Sequence, residues 1–94
     1  MKVIYKITYP NGKIYVGRDS SESFMTYFGS GDEEYIQRDF KPEEMQDFTV
    51  RKEVIWSSED ATPEELSKKE IELIVSEGAN NPAKGYNLFP KFAG

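Results

Sequence analysis

Pro10-Asn11-Gly12 stands between two runs of alternating β-branched and aromatic residues, and no other feature limits the fold of this chain so tightly. Val3, Tyr5, Ile7 and Tyr9 alternate with Ile4, Lys6 and Thr8, which predicts a strand over residues 2–9. Lys13-Ile14-Tyr15-Val16-Gly17 predicts its partner across a hairpin. The loop decides which side chains meet. A two-residue type I′ loop at Asn11-Gly12 would face Tyr9 to Ile14 and send Tyr5 and Tyr15 to opposite sides. A three-residue loop suits the residues better, because Pro favours the second position of a type I turn and Gly12 then takes the left-handed position of a G1 bulge. That register opposes Ile7 to Tyr15 and Tyr5 to Gly17, so both tyrosines share one face.

Further along, Phe24-Met25-Thr26-Tyr27-Phe28 reads as a short helical turn ended by Gly29-Ser30-Gly31, and Asp32 caps a helix through about Phe40 with Tyr35, Ile36 and Phe40 apolar. Pro42 marks a loop. Phe48 to Trp56 is the third strand, with Phe48, Val50, Val54 and Trp56 on one face that Lys52 interrupts. The best-defined helix runs from Pro63 to Glu77: Thr62 is its N-cap, Pro63 takes N1, Glu65 completes a capping box, and Gly78 ends it. Asn80-Asn81-Pro82 is a loop, and the aromatics of Gly85-Tyr86-Asn87-Leu88-Phe89 should fold back onto the core. At 94 residues the chain has room for one α+β domain, 1–94, without repeats or linkers.

The residue types bound the chemistry. With no Cys there are no disulfides, thiolate nucleophiles or Cys-ligated zinc, and with no His there is neither a Ser-His-Asp triad nor a His-bound metal. Catalysis would have to run on Tyr, Lys, Arg, Glu or Asp. Twelve Lys and Arg against seventeen Asp and Glu give a net charge of −5, which lacks the global basic signature of a nucleic-acid binder. No run approaches the roughly 18 apolar residues of a membrane span, so the expected location is cytoplasmic.

On a helical wheel Leu66, Leu73, Ile74 and Ile71 form the apolar arc of the Pro63–Glu77 helix, and Glu70 falls inside that arc. Its carboxylate therefore points at the sheet. Taking a carboxylate out of water costs several kcal/mol unless it is paired or binds a cation, leaving a structural salt bridge, snorkelling and cation binding as alternatives. Glu77 shares the stripe but lies where the helix end can leave it wet. Most of the six tyrosines are expected to be core or hairpin residues, and a phenol with a pKa near 10 is a poor base without a nearby cation.

Val3-Ile4-Tyr5, nine intervening residues and Tyr15-Val16-Gly17 resemble the paired tripeptides of the GIY-YIG nuclease superfamily, with Val3 where Gly is usual and Val16 where Ile is usual. Asn11-Gly12-Lys13, Glu70 on a late helix and the terminal Gly85-Tyr86-Asn87 extend the resemblance over nearly the whole chain. It implies a three-stranded antiparallel sheet flanked by helices, and hydrolysis of DNA phosphodiesters with Mg²⁺ or Mn²⁺. Glu70 would hold the cation, Tyr5 or Tyr15 would deprotonate or orient the attacking water, Gly17 would allow close backbone approach, and Asn87 would hydrogen-bond within the site.

One departure matters. The Arg that such nucleases carry about ten residues after the second tyrosine would fall near Met25, and no basic residue lies between Asp19 and Gln37. Tyr27-Phe28-Gly29-Ser30 resembles a variant branch without that Arg. Arg18 is then the first substitute and Arg51 the second, with Lys6, Lys13, Arg18, Arg51 and Lys52 as a basic cluster for the DNA backbone. The alternative is a catalytically silent domain of the same fold that binds nucleic acid or a protein partner, since a chain at −5 gains little from counterion release.

Overall fold

The structure is a computed structural model that describes residues 1–19 and 39–93. Three antiparallel strands, β1 (Lys2–Thr8), β2 (Ile14–Asp19) and β3 (Arg51–Ser58), form one sheet in the order β2-β1-β3. Two helices among the described residues accompany it, α1 (Pro42–Met45) and α2 (Pro63–Glu77). Among the described residues no helix is long and apolar enough to cross a membrane.

The hairpin has the three-residue loop. The Gly12 N–H donates to the Tyr9 carbonyl and the Tyr9 N–H to the Lys13 carbonyl, both at 2.9 Å, and Gly12 sits at φ +85°. Few other residues reach that φ without strain. Asn11 braces the turn by accepting the Lys13 N–H on its own Oδ1 at 3.0 Å. Ile7 accordingly opposes Tyr15, and Tyr5 opposes Gly17.

Alternation along β1 divides the core in two. Ile4 and Val16 face α2 and pack with Leu66, Ile74 and Ala79. Tyr5, Ile7 and Tyr9 face the other way and gather Phe40 and Tyr86, with Phe48 and Val50 against them. The α2 helix starts and stops as its sequence predicts: Thr62 Oγ1 accepts the Glu65 N–H at 3.1 Å, and Gly78 closes the helix at φ +75°. Its contact strip is narrower than its apolar arc, because Leu66 and Ile74 are buried whereas Ile71 is 51% exposed.

Two expectations are corrected. Tyr5 opposes Val54 while Ile4 opposes Trp56, so Ile55 is an extra residue and β3 bulges there. The bulge switches faces: Phe48 and Val50 pack on the aromatic side and Trp56 on the α2 side, where a regular strand would have kept them together. Pro42 opens the single-turn helix α1 rather than a loop, with the Lys41 N–H donating to Glu44 Oε1 at 2.9 Å. The turn expected at 24–28 and the helix expected from Asp32 lie outside the described residues, except for Asp39 and Phe40, and Phe40 is buried edge-on to Phe48 at 4.9 Å.

Candidate functional site

The edge strand β2 is sealed by the chain that follows α2. Ile14 gives its N–H to the Lys84 carbonyl at 3.0 Å and accepts the Tyr86 N–H at 2.9 Å, a short parallel bridge to Gly85. One step along, Asn87 replaces a strand partner with its side chain. Its Oδ1 accepts the Val16 N–H and its Nδ2 donates to the Val16 carbonyl, both at 2.8 Å. Both ends of the Asn87 amide are thus engaged by main chain, and these bonds hold residues 84–87 against β2.

This wrapped edge carries an open cavity of about 340 Å³ lined by Tyr15, Glu70, Ile74, Tyr86, Asn87, Leu88 and Phe89. Tyr15 comes from the aromatic face of the sheet and Glu70 from the helix on the opposite face, and they meet because β2 is an edge. Burial pushes the Glu70 carboxyl above the usual carboxylate range, and the Arg18 guanidinium only partly offsets it. Arg18 projects from β2 onto α2, with Nε 3.9 Å from Glu70 Oε1 and a hydrogen bond to Ser67 Oγ. Ser67 was not among the expected residues, although its position three residues before Glu70 puts it on the same helix face. Glu77 meets its own cation from the sheet, Lys6 Nζ at 3.5 Å.

Tyr5 lies beneath this site. Its side chain is buried, its ring centroid is 6.5 Å from that of Tyr15, and it is not among the residues lining the cavity. Gly17 is what lets it lie there, since a Cβ at Gly17 would come within 2.5 Å of the Tyr5 hydroxyl and 3.0 Å of the Tyr15 ring. The close approach at Gly17 is therefore made by a phenol of the protein itself. Lys52 sits on the Tyr5 face with Nζ 4.7 Å from the ring centroid, and burial lowers its pKa while Asp19 opposes the shift.

The basic residues do not form the expected cluster. Arg51 is on the far edge strand, three-quarters exposed and 3.7 Å from Glu53; Lys6 faces Glu53 and Glu77, and Lys13 lies 2.9 Å from Asp39. Strand order separates Arg51 from Glu70, so of the two candidate substitutes it is Arg18 that the fold brings to the carboxylate. Beside the cavity a second one, about 180 Å³, is lined by Lys13, Asp39 and Tyr86 among others, where Tyr86 donates its hydroxyl to Asp39 Oδ2 at 2.6 Å and accepts from Asn11 Nδ2 at 2.9 Å. Burial first, then this bond to Asp39, raises the Tyr86 pKa to about 12.

For a metal, the donors available are those of a loosely held oxygen-ligated cation. Among the described residues no three acidic, His or Cys side chains converge as a metal-binding group, and Glu70 is the carboxylate that lines the cavity. One carboxylate suits Mg²⁺, which keeps several waters and takes its other ligands from phosphate. No protein-family model matches this chain, and no curated protein or solved structure does either.

Proposed function

We propose that the cavity between Tyr15 and Glu70 hydrolyses phosphodiester bonds of DNA, as the resemblance of the hairpin and of Glu70 to GIY-YIG nucleases implies. The observation that carries the reading is the meeting of Tyr15 and Glu70 in one cavity with the Arg18 guanidinium 3.9 Å from the carboxylate. These are the parts that phosphoryl hydrolysis needs: an oxygen to orient water, an anion to hold a cation, and a fixed positive charge for the phosphate. Mg²⁺ or Mn²⁺ held by Glu70 would neutralise the phosphate and the leaving oxygen. Tyr15 presents its phenol oxygen to the attacking water, with Tyr5 packed behind it. Arg18 is partly exposed and stands beside the Glu70 carboxylate, from where it would bind a non-bridging phosphate oxygen.

A binding role without catalysis is the second reading, favoured by the pairing of Lys6, Lys13, Arg18 and Arg51 with carboxylates, which leaves little charge for the DNA backbone. Nicking of supercoiled plasmid at low salt with Mg²⁺ or Mn²⁺ separates the two. Wild type should nick, Glu70→Gln should not, and Arg18→Ala should nick about 10²-fold more slowly with its fold intact. Nicking by Arg18→Ala at the wild-type rate would remove Arg18 from the mechanism, and no metal-dependent nicking by wild type would favour the binder.

A further inference from the structure

Two apolar side chains in the cavity lining are exposed, and the chain that carries them is anchored on both sides. Leu88 and Phe89 are 52% and 77% exposed, and both line the same cavity as Tyr15 and Glu70. Asn87 fixes the chain before them through its two bonds to Val16. The buried Asn80 fixes the chain after them, donating from Nδ2 to the Pro90 carbonyl at 2.8 Å. An exposed phenylalanine anchored on both sides is a preorganised surface, since little further ordering is needed when a ligand lies on it.

We infer that Phe89 is a stacking platform for an unpaired nucleobase, so that the nucleic acid this site takes is single-stranded, gapped or branched beside the bond it cuts. The inference rests on the hydrolytic reading above. Two observations select a base as the occupant. The chain carries a net charge of −5, and Lys6, Lys13 and Arg51 each already face a carboxylate, so attraction to the phosphate backbone is weak and another contact has to supply affinity. Phe89 lines the same cavity as Glu70, where the phosphate would be held, and a base offers its π-face when it is not stacked in a duplex.

The test is binding in EDTA, where hydrolysis plays no part, of short oligonucleotides carrying the fluorescent base 2-aminopurine, single-stranded or fully duplexed. Stacking on an aromatic ring quenches that base. Wild type should bind the single strand more tightly than the duplex and quench it; Phe89→Ala should lose roughly 5- to 150-fold in affinity for the single strand together with the quenching. Phe89→Trp should keep both, whereas Phe89→Leu should lose the quenching. Equal binding by wild type and Phe89→Ala would overturn the platform, as would an equal loss on single strand and duplex or full retention by Phe89→Leu, which would mark a general apolar contact with a protein partner. No binding of either oligonucleotide by wild type would also overturn it. Plasmid nicking decides the hydrolytic reading separately, so loss of the platform and loss of the nuclease are distinguishable.

Discussion

The two faces of the sheet are built from different materials. On the α2 side, Ile4, Val16, Leu66, Ile74 and Ala79 touch through aliphatic surface, and what holds them is area removed from water and close packing. On the other side Tyr5, Tyr9, Phe40, Phe48 and Tyr86 meet as rings, edge-on between Tyr9 and Tyr86 at 5.2 Å, and their polar ends have partners such as the Tyr86 bond to Asp39. The aliphatic face is a support held by area alone, and the aromatic face adds a hydroxyl that has to be bonded as well as packed. Neither face alone makes the candidate site. It forms at β2, where one residue from each side reaches around the sheet edge, Tyr15 from the aromatic face and Glu70 from the helix.

That contrast can be broken by removing what each face is said to depend on. Ile4 is fully buried, and Ile4→Ala should lower the unfolding free energy by about 3–4 kcal/mol, most of it from lost burial and an unfilled cavity. Out of the roughly 5–15 kcal/mol of a small domain, this is a large fraction, readable as a shift of the urea midpoint.

Tyr86→Phe keeps the ring and deletes the hydroxyl, and should cost about 1–2 kcal/mol near neutral pH. Its pH dependence is the sharper signature. The folded protein holds the Tyr86 proton up to about pH 12 whereas an unfolded chain loses it near its ordinary value, so the stabilisation is complete below about pH 10 and fades as pH rises towards 12. Urea curves of wild type and Tyr86→Phe should converge over that window; a gap that stays constant would mean the hydroxyl contributes no protonation-linked stability. Should Tyr86→Phe prove as costly as Ile4→Ala, the division between an aliphatic support and an aromatic face fails.

Glu70→Gln should have the smallest effect and the opposite sign. Burial raises the folded pKa of Glu70, so its charged form costs stability, and the cost is absent below the unfolded carboxylate pKa and fully present once pH has risen past the folded one. The substitution should therefore stabilise the protein slightly at pH 7, with the gain disappearing in acid. That sign would support the proposed cation site over a pairing that serves stability. Destabilisation at pH 7 would instead make the pairing with Arg18 the reason Glu70 is there.

What the residues could declare in advance were the elements whose bonds close within a few positions. Pro10-Asn11-Gly12 set the loop and with it the pairing of Tyr5 with Gly17, and Thr62, Pro63, Glu65 and Gly78 bounded α2, because turns and caps join groups three or four residues apart. The wheel likewise turned Glu70 towards the sheet, a property of helical period alone. Tertiary structure decided the rest. The bulge at Ile55 exists only in pairing with β1, fifty residues away in sequence, and it sent Trp56 to the face opposite Val54 although alternation had joined them. The width of the α2 contact left Ile71 in water, and strand order put Arg51 on the wrong edge while bringing Arg18 to Glu70. Asn87 could be named from its tripeptide, but that its amide would close the β2 edge required Val16 to be an edge residue with its N–H and carbonyl turned outward. These outcomes depend on which distant groups compete for the same surface, and period and spacing along a chain carry no record of that competition.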